Sequence, residues 1–124
     1  MTTKRYAGSV LASALLLMFS SAFADDGPRG AEQQYDTYCV QCHGIKRNGK
    51  GVNSRTMPVQ PRDHTDAKGM GDIPDNELFK AIKEGGLSVN KSVLMPAWAS
   101  VMSDSEIGDL LKYLRQVCNC GTNR

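Results

Sequence analysis

Cys39-Val40-Gln41-Cys42-His43 confines two thiols and an imidazole to five consecutive residues, and this C-x-x-C-H order is the signature of c-type haem attachment. The spacing has a chemical reason. Residues three and four apart lie on one face of a helical turn, so the Cys39 and Cys42 sulfurs can each form a thioether with one haem vinyl group while His43 meets the iron. One short segment thereby fixes both the ring and its proximal ligand. Two other readings use the same atoms. A bare C-x-x-C among βαβ units is a thioredoxin-like redox pair, and two cysteines with a histidine hold zinc if a fourth ligand arrives from elsewhere. The histidine directly after the second cysteine counts against both. A redox dithiol does not need it, and structural zinc sites space their Cys and His pairs farther apart.

The first two dozen residues read as a targeting segment. Lys4 and Arg5 form a positive start, Val10 to Phe19 form an apolar run broken only by small residues, and Ala22-Phe23-Ala24 fits a small-x-small cleavage site. Cleavage after Ala24 makes 1–24 a signal peptide and leaves 124 − 24 = 100 residues, 25–124, for a single domain. An uncleaved anchor is the other reading, but the apolar run is shorter than the ~20 residues a membrane span needs, so no stable membrane insertion is expected after cleavage. Removing Lys4 and Arg5 leaves 15 − 2 = 13 basic side chains against 13 acidic ones. A balance that even gives no general attraction to nucleic acid. Export to an oxidising compartment such as the bacterial periplasm also accommodates four cysteines. A domain this small buries a limited core, and a covalently held porphyrin would supply apolar surface at about 25 cal/mol per Å² removed from water.

Helical signals dominate the rest of the chain. A short helix is expected from about Arg29 to Cys39, with Ala31, Tyr35 and Tyr38 on its apolar side. Gly44 to Arg55 reads as a loop, and between Gly44 and Arg62 stand five basic side chains (Lys46, Arg47, Lys50, Arg55, Arg62) and no acidic one. This stretch is either a solvated loop or a basic patch that steers an acidic partner. Pro58 and Pro61 keep the chain extended. A second helix is signalled by Asp72 to Glu77, carries Leu78, Phe79 and Ile82 as an apolar stripe, and ends at Gly85-Gly86. The last helix begins at the capping box Ser103-Asp104-Ser105-Glu106, and Ile107, Leu110, Leu111, Leu114 and Val117 come after it at helical spacing. No internal repeat, strand-like alternation or phosphate-cradling glycine motif accompanies them.

These residues, in this order, resemble a bacterial class I monohaem cytochrome c over almost all of the stretch from about Gly30 to Val117. The attachment run comes first, Met95-Pro96 lies on the C-terminal side, and an apolar helix closes the chain. Ala31 and Tyr35, eight and four positions before Cys39, stand where the family often has Gly and Phe or Tyr. Asp109-Leu110-Leu111-Lys112-Tyr113-Leu114 resembles the family's Asp-Leu-x-x-Tyr-Leu stretch. The resemblance implies an all-α small cytochrome c fold: three to four helices around one covalently attached haem c, the N- and C-terminal helices crossing so that Leu110 and Tyr113 meet Ala31 and Tyr35. It implies Met95 as the sixth iron ligand, and the position of Met95 in a Gly- and Pro-flanked loop suits that role. Met102, at the edge of the final helix, reads as packing. Met57 and Met70 in polar loops, and His64 among charged residues, are the rival ligands. A proline carbonyl commonly orients the proximal histidine in the family, which points to Pro58 or Pro61. Arg62 and the Trp98 indole are candidate propionate contacts.

Cys118-Asn119-Cys120 departs from the pattern. A bridge across one intervening residue is expected to be strained, which leaves pairing with another chain, an unpaired thiol or a closed tail bridge without a catalytic role. The resulting functional expectation is a soluble periplasmic electron carrier with His43 and Met95 as axial ligands, exchanging electrons with a reductase, oxidase or dehydrogenase. The alternative is a haem enzyme or a haem protein that binds nitric oxide, carbon monoxide or peroxide at an open or displaceable sixth position. No Ser-His-Asp set, phosphate loop or paired carboxylate speaks for catalysis by the protein's own side chains.

Overall fold

Apolar residues at helical spacing give the chain its long helices, and two single turns join them. In the computed structural model, which describes residues 27–121, the order is α1 (Gly27–Tyr38), α2 (Val40–His43), α3 (Ala67–Gly71), α4 (Asp75–Glu84) and α5 (Asp104–Val117). Two 3-10 turns, Val52–Thr56 and Gly86–Val89, punctuate the connections, and no strand occurs among the described residues. The expected signal segment, 1–24, lies outside them. The architecture is all-α, with three long helices where three to four were expected.

α5 forms as its sequence requires. The Ser103 hydroxyl accepts from the Glu106 N–H and the Glu106 carboxylate accepts from the Ser103 N–H at 2.7 Å, so two orphan donors are satisfied reciprocally. Ile107, Leu110, Leu111 and Leu114 are then buried on one face. α1 packs on α5 through Ala31 and Tyr35, each only 1% exposed, with the Tyr35 ring 5.8 Å from that of Tyr113. Gln34 reaches across to Glu106 at 3.0 Å. α4 adds Leu78 and Ile82 to the same core and stops at Gly85, whose φ of 86° is a conformation that side chains disfavour.

Two sequence expectations are corrected here, and one pairing left open by the sequence is closed. Met70 belongs to no polar loop: Asp66 caps the short α3 by accepting from the Gly69 N–H at 3.0 Å, and that turn carries Met70 into the core, where it is fully buried. Arg47 is not a free cation of the basic loop. It pairs with Asp36 at 2.8 Å and Glu32 at 3.3 Å on α1, donates to the Tyr113 hydroxyl at 2.8 Å and lies over the Tyr35 ring. Cys118 and Cys120 close a bridge within the chain, because Asn119 adopts a left-handed φ of 48° and brings their Cα atoms to 5.1 Å, inside the ordinary disulfide range.

A buried arginine joins the helices in a way that apolar periodicity does not reveal. Arg115 donates to Asp75 from two nitrogens, at 2.9 and 2.7 Å, and to the Met70 and Ile73 carbonyls at 2.6 Å each. It thus ties the end of α3 and the start of α4 to α5.

Candidate haem-attachment site

Between α1, α4 and the loops that connect them lies a mostly apolar cavity of about 670 Å³. Cys39, Cys42 and His43 all face it, as do Leu78, Ile82 and Met95. The attachment run is shaped by its own backbone bonds. The Cys39 N–H ends α1 by donating to the Tyr35 carbonyl at 2.8 Å, and the His43 N–H donates to the Cys39 carbonyl at 2.9 Å, which winds α2 through one turn. The next loop folds back on that turn: Gly51 N–H donates to the Cys42 carbonyl at 3.0 Å and Gly49 N–H to the His43 carbonyl at 2.8 Å. Gly51 is required by contact alone, since a Cβ there would lie 2.3 Å from the Gln41 carbonyl oxygen.

The donor chemistry fits a c-type haem. Cys39 and Cys42 are unbridged thiols. Burial, reinforced by the neighbouring Cys42 sulfur, pushes the Cys39 thiol up to about 12. Redox dithiols work with a lowered thiol pKa, and the shift here runs the other way. The zinc reading needs further donors, and among the described residues no three His, Cys, Asp or Glu side chains converge on one point. His43 Nδ1 lies 3.1 Å from the Arg62 carbonyl oxygen. A carbonyl only accepts, so Nδ1 carries the proton and Nε2 keeps its lone pair for a metal. Burial lowers the His43 pKa while the Arg62 carbonyl bond opposes that shift, which favours the neutral ligand form.

The orienting carbonyl therefore comes from Arg62, and neither Pro58 nor Pro61 supplies it. The carbonyl that meets the ring lies one residue after Pro61. The Arg62 side chain is exposed at the cavity's rim, and Trp98 is half-buried in its wall with its ring 5.3 Å from Tyr38. His64, the rival ligand, is buried and stacks flat on His43 with 4.3 Å between ring centroids. A ring lying against His43 shares its side of the cavity and is not placed to stand opposite it.

Met95 and Met57 both line the cavity, whereas Met70 and Met102 are spent in the core. The loop bearing Met95 is laced to α4 and the 3-10 turn after it. Gly86 N–H donates to the Met95 carbonyl at 3.0 Å and Trp98 N–H to the Ile82 carbonyl at 3.1 Å. Gly86 permits the approach, because a Cβ there would lie 2.4 Å from the Ser92 carbonyl oxygen and 3.1 Å from Met95 Cβ. The glycine pair thus ends a helix and also makes room for the loop.

A helical cradle with both thiols and an oriented imidazole on its wall defines the class: this is a c-type cytochrome. The chain belongs to the family described as cytochrome c oxidase, cbb3-type, subunit III, which matches residues 26–114. Solved structures of similar fold include the KustC0563 c-type cytochrome, with a TM-score of 0.55, 20% identity, 70% of this chain covered and 95% of that one. Another is a chain of the Kuenenia stuttgartiensis reducing HAO-like protein complex Kustc0457/Kustc0458, with a TM-score of 0.55, 23% identity and 71% of this chain covered. This protein spans 41% of that second chain's length. No curated protein sequence matches. Among the described residues no helix is long and apolar enough to cross a membrane.

Proposed function

We propose that this protein is a periplasmic one-electron carrier holding a single haem c, with Cys39 and Cys42 as thioether donors and His43 and Met95 as axial ligands. The observation that carries the reading is His43: its Nδ1–H is committed to the Arg62 carbonyl at 3.1 Å, so the nitrogen left over is a lone-pair donor facing a cavity that both motif thiols also line. When bound, the haem supplies a one-electron couple that the polypeptide lacks. Leu78, Ile82 and the half-buried Trp98 keep water from the cavity's inner wall, and the laced Met95 loop holds a second donor there. Two protein ligands leave the iron no vacancy, and a thioether favours the ferrous state and raises the potential. Arg62 and Trp98 are proposed to hold the propionates. The partners are other periplasmic redox proteins: a reductase, an oxidase or a dehydrogenase.

A redox titration of the purified holoprotein, with its absorption spectrum recorded throughout, tests this. The expected result is the ferric band towards the red end of the spectrum that marks Met–iron coordination. It should vanish in Met95→Ala, which keeps its haem, gains affinity for small ligands and falls in potential, whereas His43→Ala should yield little stable holoprotein. If the parent lacks the band at neutral pH, or Met95→Ala retains it, Met95 is no ligand, and the reading passes to a gas-binding protein or haem enzyme with an open sixth position.

A further inference from the structure

A second imidazole covers the face of the first. The rings of His43 and His64 stack at 4.3 Å with 16° between their planes, and nothing in covalent attachment requires this. His64 is itself held on three sides. Its backbone N–H donates to the Arg47 carbonyl at 2.7 Å, its ring Nδ1 pairs with the Tyr35 hydroxyl at 3.1 Å, and the Tyr35 ring stands edge-on to it at 5.7 Å. Tyr35 is locked in turn between α1 and α5, with the Arg47 guanidinium 5.1 Å above its ring.

The stretch from Arg62 to His64 therefore touches His43 twice, with a carbonyl at the ring's edge and with a flat ring on its face. The two contacts restrain different motions. Acceptance at a carbonyl oxygen is broad in angle, and the torsion that swivels an imidazole about its Cβ–Cγ bond has wide minima. The edge bond alone leaves the ring plane loosely set, and a parallel ring packed on the face removes that freedom.

We propose that His64 is a positioning residue that sets the plane of the His43 imidazole, and that Tyr35 anchors it from the junction of α1 and α5. The inference rests on His43 being the iron ligand. In a low-spin ferric haem protein the orientations of the iron's two ligands govern how unpaired spin is distributed over the haem methyl groups, and since no variant below alters Met95 or its loop, a change in those NMR shifts reports the imidazole plane.

The experiment records these shifts in the ferric holoprotein for the parent, His64→Ala and the double variant Tyr35→Phe/His64→Phe. The double variant keeps a flat ring on His43 while removing both members of the buried polar pair together, so no polar group is stranded. His64→Ala should reorder or compress the methyl shifts, and the double variant should retain the parent's order, whatever either does to thermal stability. Unchanged order in His64→Ala, or a double variant as disturbed as His64→Ala, overturns the proposal. If His64→Ala gives no haem-loaded protein, His64→Leu, which fills the volume without a flat face, takes its place under the same criteria. Failure of the underlying ligand assignment looks different, because the parent would then show no low-spin, His-ligated spectrum at all.

Discussion

Two glycine-to-alanine substitutions should move this protein's stability in opposite directions. Gly51 lies in ordinary extended backbone, with φ −72° and ψ 165°, so an alanine there suffers no conformational strain. Its obstacle is the attachment turn: the new Cβ would sit 2.3 Å from the Gln41 carbonyl oxygen and 2.6 Å from the Cys42 carbonyl carbon and oxygen. Close carbon–oxygen contacts between backbones settle at about 3.3–3.6 Å, so the loop must retreat by roughly 1 Å. Overpacking costs about 1–3 kcal/mol, and loss of the Gly51 N–H bond to Cys42 adds about 1 kcal/mol. At about 4–8 °C per kcal/mol for a domain of this size, the midpoint should fall by roughly 8–32 °C. Gly108 is the control, since it lies inside α5 with nothing within 4 Å of the position its Cβ would take. Alanine there gains about 0.5–1 kcal/mol of helix propensity, or a rise of roughly 2–8 °C. Thermal unfolding of the haem-loaded proteins, followed by far-ultraviolet circular dichroism, measures both, and the haem-to-protein ratio of Gly51→Ala should drop as well. Shifts of the same sign, or a Gly51→Ala midpoint within about 2 °C of the parent, would refute the packing account.

Other substitutions separate the remaining interactions. Arg115→Met should cost about 3 kcal/mol in chemical denaturation, because it strands two carbonyls and a carboxylate, whereas Asp75→Asn, at a side chain still 27% exposed, should cost about 1 kcal/mol; equal losses would mean that the carbonyl bonds contribute nothing. Ser103→Ala should remove about 1 kcal/mol. The Ser103 N–H and hydroxyl hold the Glu106 carboxyl below its usual range, so the carboxylate's share of the capping contribution is present above the ordinary carboxylate pKa and fades as pH falls through the lowered one; a Glu106→Ala deficit that persists undiminished in acid would contradict this. Changing Lys46, Lys50 and Arg55 to Glu should slow association with an acidic redox partner at low salt and leave the potential nearly unchanged, as stopped-flow mixing would show. Arg47 is left out of that set because it is committed to Asp36 and Glu32.

What could be read in advance was whatever a local pattern encodes. The Ser103 box and the spacing of Ile107, Leu110, Leu111 and Leu114 specify α5 without help from elsewhere. Cys39, Cys42 and His43 stand out by spacing and face one cavity, and the resemblance placed Tyr35 against Tyr113 correctly. Contacts between distant segments were out of reach. The Arg62 carbonyl is a backbone group and has no residue type to recognise, so the proline in the family's habit misled by one position. His64 looked like a polar loop residue, yet its partners Tyr35 and His43 lie 29 and 21 positions away (64 − 35 and 64 − 43). Arg47 and Arg115 were hidden for the same reason, since a cation's sequence neighbours do not show which carboxylate will claim it. Met70 had one usable signal: Asp66 three positions before Gly69 is a helix-capping spacing, and a turn started there delivers Met70 inward.

The seam between α1 and α5 also fixes a schedule. Gln34 and Glu106 touch although they are 72 positions apart, and the helix that completes the seam is the last one among the described residues. A ribosome delivers α1, both motif thiols and the Met95 loop before that helix exists. Until it arrives, Tyr35 has no Tyr113 to lean on, Arg47 lacks its phenol, and Arg115 has not yet joined α3 to α4. Leu110 and Leu114, the part of the cavity wall that α5 supplies, therefore arrive last, and on the proposed haem assignment the interval before the seam closes is when Cys39 and Cys42 stand most open to loading. A chain cut short before Ser103 should lack Leu110 and Leu114 from the cavity wall and leave Tyr35 without its ring partner Tyr113.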